Sequence, residues 1–277
     1  MKIKLIVFLI SMLSLGAFAS PRMVTKEELG MFKNSTTCVV LDNGGILYNA
    51  LLKDAIEKSW KITPFEFISQ KDFEKRRTDS RYSFLVLMKG VHDKDPGGVS
   101  YDYLSLVLGG PERIVTDMPE ICSIPVSYSL VNSDNYGYVL SPAIKFMQRH
   151  AKTLESKRVL IMLNGLKYYN GTKRFTDNAL LLDKSMMASN ANTEGRIRNV
   201  YPYYFKLLNT KEFQEELSLN PKNTMFVFHV GPNHQSGSGK CFEMIFDMEG
   251  NLYYYNSRSI TNDNEDGFNL NDFKQLR

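Results

Sequence analysis

The alternation of apolar and polar residues sets the first expectations. Cys38–Leu41 is a short valine-rich apolar run, the mark of a buried strand, and Asp42-Asn43-Gly44-Gly45 breaks it. Leu47, Leu51, Ala55, Ile56 and Trp60 then recur at helical spacing, with Lys53, Asp54, Glu57 and Lys58 on the other side. Thr63-Pro64 ends that segment, and Phe65–Ile68 reads as a compact strand. Ser69 is placed to cap a short helix over Lys71–Arg77. Tyr82–Met88 and Tyr101–Leu108 read as antiparallel neighbours across the loop His-Asp-Lys-Asp-Pro-Gly-Gly. The predicted order is β-α-β-α-β-β.

Beyond it, Glu120–Tyr128 is a strand that Pro125 restricts to a sheet edge. Pro142–Leu154 reads as a helix capped by Ser141, and Arg158–Leu163 as a buried strand. The run Ala-Leu-Leu-Leu-Asp-Lys-Ser-Met-Met (179–187) and the stretch Arg196–Leu219 both read as helical. Thr224–Val230, Cys241–Asp247 and Leu252–Tyr255 are strands. The last two are joined by a turn whose Gly250 supplies a positive φ, and Asn269–Leu276 is a terminal helix. The fold class is therefore α/β (α+β): a mixed sheet with helices packed on it, in two loosely similar α/β subdomains. Their expected spans are 36–130 and 131–277, after a polar lead-in at 20–35. No residue-level repeat is evident between them.

The first 19 residues change the picture. Met-Lys-Ile-Lys, an apolar run over Leu5–Leu15 and Ala17-Phe18-Ala19 form the three parts of a secretory leader cleaved after Ala19. The expectation is an exported protein, periplasmic or secreted, with no transmembrane segment in the mature chain. The 34 basic and 30 acidic residues give +4, and loss of Lys2 and Lys4 leaves +2. A charge so near neutral argues against a dedicated nucleic-acid binder. With 43% apolar and 23% charged residues, the chain is not a disordered one. Cys38, Cys122 and Cys241 each sit in an apolar strand without C-x-x-C spacing, so they read as buried side chains.

Candidate chemistry is sparse. Asp42 ends a strand ahead of a glycine turn, where α/β sheets commonly bind ligands. His229 and His234 bracket Val-Gly-Pro-Asn at another strand end. These three are the candidate ligand-binding residues. Tyr201, Tyr203, Tyr204, Tyr253 and Tyr255 form two dense clusters and are candidate interface residues, since tyrosine offers flat area plus a hydroxyl. Gly237-Ser-Gly-Lys240 lacks the leading Gly and the trailing Ser/Thr of a phosphate loop. Asn262–Gly267 resembles the start of a calcium loop but lacks Asp at position one and Glu at twelve. No G-x-S-x-G elbow is present. No metal and no cofactor is expected, and no catalytic residue is assigned.

The stretch Leu47–Phe67, ending Trp-Lys-Ile-Thr-Pro-Phe-Glu-Phe and followed by Ser83-Phe84-Leu85, is similar to uncharacterised exported proteins of Bacteroidota. It also resembles the α/β openings of the curli-secretion lipoprotein and of the TolB N-terminal domain. The resemblance spans about the first quarter of the mature chain. It implies fold, and no functional residue follows from it. Together these features point to a non-catalytic binding or assembly-accessory protein of the cell envelope, with other envelope proteins as partners. An exported hydrolase with a site near Asp42 or His229/His234, and a ring-forming envelope component, are the alternatives.

Overall fold

The computed structural model describes residues 22–92, 100–112, 114–128, 136–232 and 239–276. Residues 1–19, His234, and Gly237 and Ser238 of the Gly-Ser-Gly-Lys run lie outside these residues. Two five-stranded mixed sheets form the protein. The first uses β1 (Thr36–Val40), β2 (Phe65–Ile68), β3 (Tyr82–Gly90), β4 (Tyr101–Leu108) and β5 (Glu120–Tyr128), in the order β2-β1-β3-β4-β5. The second uses β6 (Ala179–Asp183), β7 (Phe205–Leu208), β8 (Thr224–Val230), β9 (Gly239–Asp247) and β10 (Leu252–Ile260). Its order, read from the opposite edge, is β7-β6-β8-β9-β10. In each sheet the second strand of the order, β1 or β6, has a parallel neighbour on either side, and two antiparallel pairings follow.

The helices are α1 (Lys26–Lys33), α2 (Ile46–Ser59), α3 (Gln70–Arg76), α4 (Gly137–Asn164), α5 (Glu194–Arg198), α6 (Thr210–Ser218) and α7 (Leu270–Lys274). The N-terminal order β-α-β-α-β-β is as the sequence predicts, Ser69 caps α3, and β5 with Pro125 is an edge strand. The Gly250 turn has the positive φ expected of it, 74°. Four expectations are corrected. Arg158–Leu163 is the end of the long helix α4, where only Ile161 is buried while Val159 and Leu163 face outward. Ala179–Asp183 is the strand β6, second from the edge of its sheet. Arg196–Leu219 divides into α5, β7 and α6. The buried face of α2 is Tyr48, Leu52, Ala55 and Ile56, one position round from the expected stripe, which leaves Leu47 exposed.

The matching strand orders carry a repeat at residue level, contrary to expectation. Phe65, Ile68, Ser69, Lys71, Asp72 and Phe73 recur at one constant offset as Phe205, Leu208, Asn209, Lys211, Glu212 and Phe213. Ser69 and Asn209 do the same work: each side chain accepts the backbone N–H three residues on. At that same offset the pair Glu66–Arg76 (2.6 Å) becomes Lys206–Glu216 (2.7 Å), with the charges exchanged between strand and helix.

The two units stack face to back. Phe73 of α3 joins a core on the outer face of the first sheet, whereas its counterpart Phe213 lies in the core between the sheets. That central core holds α2, α4 and α6 residues together with Leu85, Leu104 and Leu106 from one sheet and Phe226, Phe228 and Phe246 from the other. A third core, with Ile197 of α5 and Phe273 of α7, covers the far face of the second sheet. α4 bridges the units: Gln148 bonds Ser59 O and Lys61 N on one side, and Lys145 bonds Met248 O on the other. Among the described residues, no helix is long and apolar enough to cross a membrane.

Candidate ligand-binding site

The second sheet has a topological switch point. The chain leaves β6 for β7 on one side, then crosses back over β6 to β8 on the other. Such a reversal opens a crevice at the carboxyl ends of the two strands. Asp183, the last residue of β6, sits there at 1% exposure. Its Oδ1 accepts three hydrogen bonds, from Ser185 N (2.9 Å), Ser185 Oγ (2.8 Å) and Thr210 Oγ1 (3.1 Å). Its Oδ2 is buried with no hydrogen-bond partner among the described residues.

A cavity of about 140 Å³ lies at this place, lined by Asp183, Ser185 and Thr210, by Tyr136 and Tyr138 of the start of α4, and by Phe228 of β8. Tyr128 of the first sheet also lines it, so both units contribute. Burial pushes the Tyr138 phenol well above its ordinary value, and the Asp183 carboxylate pushes it further. The phenol therefore stays protonated.

The structure separates the sequence candidates. Asp42 lies two residues beyond the end of β1 in the first sheet, just past Val40, which in register matches Asp183 in the second. There it is bound into its own turn, accepting from Gly44 N (3.1 Å) and Gln70 Nε2 (3.5 Å). Gln70 and Thr210 are counterparts in the repeat, so each unit sends the first residue of a helix to a strand-end carboxylate. Asp42 and His229 are not joined by any hydrogen bond or ion pair among the described residues, and His234 is not among those residues. Tyr201 is fully enclosed and Tyr253 nearly so, which makes them core residues, not interface residues. Tyr203 and Tyr255 are half-buried, and Tyr204 is exposed.

His229 belongs to a buried polar network on the outer face of the second sheet. Its Nε2 is 3.0 Å from Asp266 Oδ1 and its Nδ1 is 3.7 Å from Glu243 Oε1. Arg258 Nη1 pairs with Glu243 (2.9 Å) and Asp272 (3.2 Å), and Arg258 Nη2 reaches the carbonyls of Glu265 and Gly267. Tyr254 Oη and Asn256 Nδ2 donate to Asp272 Oδ1. Burial lowers the His229 pKa, but Asp266 and then Glu243 outweigh it and carry it up to about 9. The imidazole is thus a buried cation at neutral pH, with a carboxylate opposite each nitrogen. It has no lone pair to act as a general base. Gly231 permits the arrangement, because a Cβ there would lie 2.5 Å from Asp266 Oδ1 and 2.8 Å from His229 Nε2. The network anchors the C-terminal segment 265–272 onto the sheet.

The remaining candidates have structural roles. All three cysteines are free and buried, and burial pushes the Cys38 thiol up to about 11. The calcium-like run gives Asp266 to His229 and Glu265 to Ser189, so neither carboxylate faces a shared centre. No cluster of three or more His, Cys, Asp or Glu side chains suited to a metal occurs among the described residues. Sequence reasoning missed Asp183 because 179–187 reads as a helix. Taken as a strand, the run would have flagged Asp183 by the same rule that singled out Asp42. Glu243 also carried a signal, as a carboxylate between Cys241 and Ile245 on one face of an apolar strand. No protein-family model, curated protein or solved structure matches the chain.

Proposed function

We propose that the chain is an exported, non-catalytic binding protein of the cell envelope, and that its ligand is a small molecule held at the ends of β6 and β8. The observation that carries this reading is the switch-point cavity, with Asp183, whose Oδ2 is buried and without a hydrogen-bond partner among the described residues, in its lining. A cavity of about 140 Å³ suits a compact molecule of a few heavy atoms, being smaller than pockets for drug-sized ligands, which start at about 300 Å³. For the hydrolase alternative, Asp42 accepts hydrogen bonds within its own turn and His229 lies between Asp266 and Glu243. The leader motif supports export, and sequencing the N-terminus of protein from an envelope fraction checks cleavage after Ala19.

The test is retention of a ligand. Purified protein is incubated with a small-molecule extract of the envelope, desalted, denatured and analysed by mass spectrometry. A low-mass compound held by the wild type, and lost in Gln214→Trp at the cavity rim, is the expected outcome. Turnover of an ester, phosphate or glycoside substrate that disappears in His229→Gln would replace this reading with the hydrolase one.

A further inference from the structure

We infer that the compound this cavity takes is a small organic cation, an ammonium group on a compact body, with Asp183 Oδ2 as its counter-ion. The inference rests on the cavity being a ligand site, as proposed above. It starts from a shortage of donors. The Ser185 amide, the Ser185 hydroxyl and the Thr210 hydroxyl are all spent on Oδ1, and Oδ2 is left bare at a position closed to bulk water. A buried carboxylate oxygen without a donor is costly, and the cost is removed by a ligand that brings the donor and the opposite charge together. Among the described residues, no Lys or Arg lines the cavity to supply either one. His229 reaches its rim, but both ring nitrogens face other carboxylates.

The rest of the wall agrees in chemistry. Tyr136, Tyr138 and Phe228 present aromatic surface beside the carboxylate, a combination that favours an alkylammonium over an anion or a plain polyol. A divalent metal ion wants several oxygen ligands with lone pairs to give. Among the described residues lining the cavity, Asp183 is the one carboxylate, and the hydroxyls beside it are within hydrogen-bond reach of its Oδ1.

Isothermal titration of the purified mature protein tests this with methylammonium, ethanolamine and choline chlorides. Ethylene glycol serves as the neutral match of ethanolamine, sodium acetate as the anion and calcium chloride as the metal. Saturable binding of at least one ammonium probe is expected, with ethylene glycol and acetate far weaker. Asp183→Asn should weaken the ammonium probe about 30-fold or more, since one partner of a buried charge pair is removed. Asparagine keeps the Oδ1 acceptor, so the local turn is retained. Gln214→Trp, on an exposed helix position at the rim, should also abolish binding, and it keeps the test open if Asp183→Asn does not fold. Ammonium binding untouched by both variants overturns the inference, as does failure of every ammonium probe to bind. Acetate, ethylene glycol or calcium binding that Gln214→Trp blocks overturns the cation class while leaving the cavity as a ligand site. An extract that yields no retained compound removes the underlying reading as well.

Discussion

Two buried histidines are held in opposite charge states, and their environments give the protein a pH range. His150 lies in the central core with its Nδ1 at 2.9 Å from Tyr169 Oη, and burial drives its pKa down to about 4. His229, between Asp266 and Glu243, is carried up to about 9. Unfolded histidine titrates near about 6.5. For His150 the unfolded chain binds the proton first, so stability falls as pH drops from about 6.5 toward about 4. For His229 the folded state binds it more tightly. Its contribution is complete below about 6.5 and is lost as pH rises through about 9. Urea unfolding at pH 6 and pH 9 should show the wild type losing stability at the higher pH, and His229→Gln should lack that loss. Gly231→Ala tests the same network sterically. A methyl pressed between Asp266 and His229 should cost about 1–3 kcal/mol, read as a lower urea midpoint at unchanged slope.

At the scale of elements, the repeated β-α unit separates what is required from what is free. Capping and the buried phenylalanine are kept in both copies, because a helix start needs a side-chain acceptor and a helix face needs an anchor. Asn209→Ala should therefore lower stability by about 1 kcal/mol, measured by denaturant melts. The sign of the strand-to-helix ion pair is not fixed, since the copies use opposite orders. Lys206→Glu alone should destabilise by placing two carboxylates together. The double reversal Lys206→Glu with Glu216→Lys should return the melt to the wild-type position, since it recreates the order found in the first unit. The same units show which parts of the fold were legible. β3, β4 and β8 could be read because they are long apolar runs between polar breaks. Ala179–Asp183 and Arg158–Leu163 could not, since a short apolar run fits either period and its length alone does not decide between them. The former is claimed by parallel pairing on both sides, and the latter by continuation of a helix begun at Gly137. Of the site, the rule about strand ends was legible in Asp42. Asp183, at the strand end of the second sheet, was hidden by that ambiguity.

At the scale of the whole molecule, the repeat does not produce two independent bodies. Equivalent faces do not meet; the inner face of one unit packs on the helices over the opposite face of the other. The long helix α4 lies between the units and is bonded to both, and Tyr101 Oη of β4 both donates to Lys240 O and accepts from Lys240 N of β9. The candidate cavity depends on this stacking, because Tyr128 comes from the first sheet and Asp183 from the second. Shared apolar burial on this scale predicts that the two units unfold together. Trp60 makes the coupling measurable. It is the only tryptophan, belongs to the first unit and is buried, with its indole N–H on Thr63 Oγ1. Its fluorescence follows the first unit, while far-UV circular dichroism follows both. In a urea titration the two signals should move together with one midpoint. A core substitution confined to the second unit, such as Phe246→Ala, removes an enclosed ring from the shared core and should lower that midpoint by the equivalent of about 3–5 kcal/mol. The tryptophan signal should shift by the same amount, although the substitution lies in the other sheet. If the fluorescence midpoint stays in place while the dichroism midpoint falls, the units unfold separately, and a cavity built from both would not be held in shape by either.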